Sequence, residues 1–266
     1  MPLFTVNNLN YNIDDKIFFK EFNLGIEEQE FVSIIAPNQS GKTMLTKLLC
    51  AIIPTYDMFI LNDISLNKEN VLEYIEEIGI VTNDIKKPFL YKKVREELEY
   101  PLENLGYSNY KINRLINNIS EFFEIEDLLN KNIDSLSQSD QSKLLIILAL
   151  VHKPKLLVLD DAFNNMDEDT REFMLKRLYN LTENGLTVLN ITSNLNTIYK
   201  SDRILVMKDF KIEKEGSVEE ILKQDSYLTK IGLSIPIVVE LSLKLMSYDL
   251  LDKIYFNMEE LESSLW

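Results

Sequence analysis

The chain has 266 residues, 45% hydrophobic and 27% charged, enough for one large domain with appended parts and without the composition of a disordered tail. A net charge of −15 and a pI of about 4.6 argue against a nucleic-acid partner, because phosphate backbones are met by basic surfaces. The single cysteine, Cys50, excludes an intrachain disulfide and a multi-cysteine metal centre, and the longest strongly apolar run, Leu144 to Val151, is too short to span a bilayer.

Residues 1 to about 30 read as short strands broken by turn residues, in LFTVNNLNYNI and KIFFKEFNLGI. The opening segment has no basic region followed by an apolar one, so no secretory signal is expected in it. EFVSIIA, Glu30 to Ala36, predicts a strand rich in branched residues. After the loop APNQSGKT, the run KTMLTKLLCAII has helical spacing and is expected to stop at Pro54. Glu76 to Asp84 predicts a short strand, and from Pro88 to about His152 the pattern turns helical. KLLVLDD, Lys155 to Asp161, is a continuous apolar strand. A helix closed by Gly185 and a second buried strand, LTVLNITS, follow it, and after Gly216 the chain becomes helix-forming around Pro236. Strands alternating with helices imply a mainly parallel sheet covered on both faces.

The loop Ala36 to Thr43 lies between a strand and a helix, the setting a phosphate-binding loop requires. There, successive backbone N–H groups and the helix dipole hold an anion, a lysine reaches the β- and γ-phosphates, and a hydroxyl meets magnesium. Gly41, Lys42 and Thr43 are intact; Ala36 replaces the first glycine and Gln39 an inner one. A side chain at position 39 needs a negative φ or carries strain of about 1–3 kcal/mol. The strand LLVLDD ends in two carboxylates and suits Asp160 as a magnesium partner.

These residues, in this order, resemble the ATP-binding subunit of an ABC transporter. LSQSDQSK, Leu136 to Lys143, stands where that family has its LSGGQ signature, and Lys143 falls where it has a basic residue. Asn164 to Asp167 occupies the D-loop, IVTND the Q-loop region and VLNITSN the switch strand. VREELEYPLENLGYS, and the tail from IGLSIPIVVELSLKL to NMEELESSL, resemble the energy-coupling factor and cobalt-importer ATPases.

The resemblance implies an α/β fold: a P-loop NTPase (RecA-like) core with an N-terminal antiparallel β subdomain, a helical insertion and a C-terminal helical extension. Residues 1–216 would form the nucleotide-binding domain, with the helical subdomain at about 88–152, and 217–266 an extension that joins two ATPase subunits. By the same resemblance Tyr11 stacks on adenine, and Asn38, Gln39, Ser40, Gly41, Lys42 and Thr43 cradle the phosphates of ATP. Thr43 and Asp160 hold Mg2+, Asp161 and Asn83 handle the attacking water, Ser193 occupies the switch position, and Ser137 contacts a partner's nucleotide. The implied partners are a second ATP-binding subunit and a membrane T component with a substrate-binding S component for a vitamin or metal ion. The location implied is peripheral, on the cytoplasmic face of the membrane.

The departures fall on the chemistry. Asp161 replaces a glutamate and is shorter by one methylene; Ser193 replaces the switch histidine, and Asn83 a glutamine. Gln138 and Ser139 replace both signature glycines, and Asp140 would bring a negative charge toward the γ-phosphate. The expectation is a chain that binds ATP and Mg2+, hydrolyses poorly and pairs with a better-equipped ATPase. The alternative is an inactive pseudo-ATPase, the structural half of such a pair. A soluble ABC-class protein acting on ribosomes or DNA is disfavoured by the acidic charge.

Overall fold

The structure is a computed structural model and describes residues 2–14, 16–82 and 89–265. Two strands of 12 residues each, β1 (Pro2–Ile13) and β2 (Lys16–Glu27), form a long antiparallel hairpin. They are longer than the expected short strands. Register shifts between Val6 and Leu9 and between Leu9 and Tyr11 interrupt the alternation of side chains, and sequence periodicity alone reads such bulges as strand ends.

Next come β3 (Phe31–Ile35) and α1 (Lys42–Leu49). The helix ends earlier than expected, at the cap residue Cys50, with Ala51 left-handed at φ 54° and Ile53 N–H bonded to the Lys47 carbonyl. This turn, and not Pro54, terminates it. β4 (Phe59–Leu61) and β5 (Ile64–Ser65) complete a four-stranded sheet of order β2-β1-β4-β5, and α2 (Val71–Glu76) precedes β6 (Ile78–Thr82). The helical insertion holds α3 (Val94–Asn104), α4 (Asn109–Phe123) and α5 (Gln138–Leu150). α5 lies so close to β6 that a Cβ on Gly79 would stand 2.2 Å from the Ala149 carbonyl oxygen.

β7 (Leu156–Asp160), α6 (Glu168–Thr182), β8 (Thr187–Thr192) and the hairpin β9 (Arg203–Lys208) with β10 (Lys211–Gly216) complete the second sheet. Its order is β10-β9-β3-β8-β7-β6, parallel except at β10. β3, β7 and β8 are buried along their whole length, as strands covered on both faces must be. On β7, Leu157 and Leu159 pack toward the helical insertion, whereas Leu156 and Val158 pack toward α1 and the four-stranded sheet.

The C-terminal segment forms α7 (Val218–Leu222), α8 (Asp225–Lys230), α9 (Ile237–Ser247) and α10 (Met258–Leu265). Its Ile221, Leu228 and Val239 share a core with Ile35, Ile198 and Val206. Among the described residues no helix is long and apolar enough to cross a membrane. The parallel arrangement brings the C-terminal ends of β3 and β7 to one edge, where open α/β sheets bind ligands.

Candidate functional site

β3 runs directly into the loop, and pairing persists one residue further because Ala36 N–H bonds the Thr192 carbonyl at 3.0 Å. Ala36 is fully buried and fits without strain in place of glycine. Gln39 sits in the left-handed region at φ 63°, so the loop carries strain of about 1 kcal/mol or more there. Gly41, at φ 97°, caps α1, and no side chain among the described residues caps that end. The first-turn N–H groups are thus turned toward the loop, the arrangement that receives an anion. Asn38 and Gln39 side chains are exposed, whereas the Ser40 hydroxyl is buried and has no hydrogen-bond partner among the described residues.

Lys42 is 6% exposed and folds back over the loop. Its Nζ donates to the carbonyls of Ala36 (3.1 Å) and Pro37 (3.2 Å) and lies 3.7 Å from Asp161 Oδ2. At the end of β7, Asp160 is 2% exposed and hydrogen-bonded to the Thr43 side chain, while Thr82 Oγ1 donates to its Oδ2 at 3.4 Å. Its Oδ1 is buried without a partner among the described residues. Burial pushes the carboxyl above the usual carboxylate range, with the Thr43 hydrogen bond working against that shift. An orphaned carboxylate oxygen beside a threonine hydroxyl is a hard-oxygen pair of the kind magnesium takes when phosphates complete its shell, so these residues fit that ion.

Asp161 and Ser193 come together from two strands. Asp161 Oδ1 accepts from Ser193 N–H at 3.0 Å and from Thr192 Oγ1 at 3.2 Å, and Ser193 Oγ lies 3.5 Å away. With Oδ2 facing Lys42, both carboxylate oxygens are engaged, and the residue itself is left-handed at φ 50°. Asn83 lies outside the described residues. Ser137 stands apart from this cluster, at the N-cap of α5. Its hydroxyl accepts from Asp140 N–H at 3.0 Å and donates to Asp140 Oδ2 at 2.7 Å. Ser139 accepts from Asp167 N–H at 3.3 Å and ties α5 to the start of α6.

Tyr11 is half-buried, its ring 6.4 Å from that of Phe18. Phe18 is 5.2 Å from Phe210, the second residue of the β9–β10 turn, and the Phe210 ring lies against Gly41. Sequence reading missed Phe18 and Phe210. The available signal was Asp209-Phe210 in a two-residue hairpin turn, where Asp-Gly is the favoured pair. Phenylalanine at φ 63° there costs about 1–2 kcal/mol relative to glycine.

A strand-to-helix loop, a buried carboxylate at the end of β7 one strand beyond β8, a helical insertion and an antiparallel β subdomain together define an ATP-binding cassette. The ABC transporter family model matches residues 19–164, and the chain belongs to that family of transport ATPases. Within it the chain resembles the energy-coupling factor transporter ATP-binding proteins. It is 31% identical to EcfA1 of Bacillus subtilis over 92% of this chain and 88% of that protein. It is 28% identical to EcfA1 of Halalkalibacterium halodurans, over 96% and 93%. The fold matches cbiO1 from Clostridium perfringens, described as part of the ABC transporter complex cbiONQ, with a TM-score of 0.78 at 23% identity over 92% of this chain and 99% of that one.

Proposed function

We propose that the chain is the ATP-binding, energy-coupling subunit of an energy-coupling factor importer on the cytoplasmic face of the cell membrane. It pairs with a second ATP-binding subunit beneath a membrane T component, and an S component selects the cargo, a vitamin or a transition-metal ion. The gathering of Ser40, Lys42, Thr43 and Asp160 at one sheet edge, with two buried oxygens among them that have no partner among the described residues, carries the nucleotide part of this reading. Near full-length similarity to energy-coupling factor ATP-binding proteins supports the partner set.

Tyr11 stacks on the base, and N–H groups from Asn38 to Thr43 cradle the phosphates. Lys42 exchanges the carbonyls of Ala36 and Pro37 for the β- and γ-phosphate oxygens. Thr43 and Asp160 hold magnesium, which when bound neutralises charge on the phosphates. Asp161, with Asn83, orients the attacking water; Ser193 lies beside the γ-phosphate; Ser137 reaches the nucleotide of the partner subunit.

Hydrolysis is slow in this reading. Asp161 is short, and its oxygens already serve Thr192, Ser193 and Lys42. A water-orienting group misplaced by about 1 Å loses on the order of 100-fold in rate. The test is ATP turnover by the purified chain with its second ATPase, wild type against the double variant D161E/S193H. A gain of about tenfold or more is expected. No gain, with ATP still bound, would favour the purely structural subunit. Wild-type turnover by the chain alone at ordinary enzyme rates of about 1–1000 per second would end the slow-hydrolysis reading.

A further inference from the structure

The β9–β10 hairpin turns on Asp209 and Phe210, both left-handed at φ 47° and 63°. Aspartate tolerates that geometry; phenylalanine does not favour it, and a strained residue persists only where its surroundings over-determine it. Its ring supplies the determinants. A Cβ built on Gly41 would stand 2.4 Å from Phe210 Cδ1 and 2.5 Å from Cε1, so the ring rests directly on the glycine that precedes Lys42. The same ring meets Phe18 and Phe19 edge-on, at 5.2 Å and 5.6 Å between centroids. Phe18 and Phe19 belong to β2, whose partner β1 carries Tyr11. One side chain therefore bridges the anion loop and the strand pair that bears the tyrosine.

We propose that Phe210 is a positioning residue of the nucleotide site, setting the separation between Tyr11 and the loop Gln39 to Thr43. This rests on the assignment of Tyr11 to the base and the loop to the phosphates. A nucleotide spans both ends and profits from their fixed spacing, because each end it engages is already in place. Tripolyphosphate uses the loop alone and gains nothing from that spacing. A ring that merely filled a gap in the core would change thermal stability and leave the ratio of the two affinities untouched.

The experiment is calorimetric titration of ATP with Mg2+ and of tripolyphosphate with Mg2+ into the full chain, for wild type and F210G. Glycine suits the turn and removes the ring. The expected result is ATP binding weakened about tenfold with tripolyphosphate binding within about twofold of wild type. Should F210G fail to fold, F210Y and F210L replace it: tyrosine keeps both affinities near wild type, and leucine lowers that for ATP alone. Equal loss for both ligands, or no loss for either, overturns the proposal while leaving the nucleotide site standing. A wild-type chain that bound ATP no more tightly than tripolyphosphate would overturn the assignment of Tyr11, and the role of Phe210 with it.

Discussion

A hydroxyl has one proton to donate, and at Ser137 it goes to Asp140. The same oxygen accepts the Asp140 N–H and so caps α5. Glutamine at position 140 would keep the cap, which needs only the backbone, and remove the anionic acceptor that captures the proton. D140Q is therefore expected to raise ATP turnover several-fold when the chain is assembled with its second ATPase, without loss of melting temperature. An unchanged rate would mean that the Ser137 proton does not limit the composite site. Asp161 follows the same logic, since a carboxylate that already accepts from Thr192 and Ser193 has less capacity left for water. Ser137 was assigned to the signature from the resemblance of LSQSDQSK to that motif. Its hydrogen bond with Asp140 was not legible, because the sequence gives no rotamer and equally allowed Asp140 to face a phosphate.

At the level of elements, α6 begins with a cap that links the segment before it to α5. Asp167 accepts from Thr170 N–H at 2.8 Å, and its own N–H bonds Ser139 Oγ. A hydrogen bond from the Ser139 side chain to its carboxylate, with the cap bond from Thr170 N–H, pulls that carboxyl down to about 2. A depressed acid stabilises the fold above its unfolded value and loses that contribution as pH falls through the folded one. D167A is expected to cost about 1 kcal/mol, roughly 2–4 °C in melting temperature for a chain of this size, at neutral pH. The difference from wild type should shrink as pH drops from about 4 toward about 2; a gap independent of pH would remove the charged cap as its cause. β7 and β8 were readable as continuous apolar runs, as strands covered on both faces must be, and α6 from its helical spacing. β4 and β5 were not, since strands of three and two residues are too short for periodicity to register.

Across the whole molecule, strongly exposed apolar side chains lie close together in sequence on the C-terminal segment. Ile237 is 77% exposed, Tyr248 75% and Leu250 61%, on and just beyond α9. The opposite side of α9 is anchored by Val239 in the core shared with Ile35. This segment is proposed to join the two ATPase subunits, and I237E/L250E is expected to abolish co-elution with the second ATPase while leaving the monomer's melting temperature within a few degrees. Persisting co-elution would move the interface elsewhere. The charge of −15 adds a direction: two copies of this chain repel, so self-association should strengthen as salt rises, whereas pairing with a basic partner should weaken. Sedimentation at low and high ionic strength separates the two.

The sequence by itself determined the class of protein and the loop proposed to meet a phosphate. A strand, a loop and a helix adjacent in the chain fix Gly41, Lys42 and Thr43 relative to one another, and Asp160 follows from an apolar run that must be a buried strand. Only the tertiary structure decided which polar groups are already committed. Asp161 meets Ser193 across 32 residues, and Phe210 meets Gly41 from the turn of the β9–β10 hairpin beside β3. Such pairings depend on strand order and on side-chain rotamers, which spacing along a single chain does not encode.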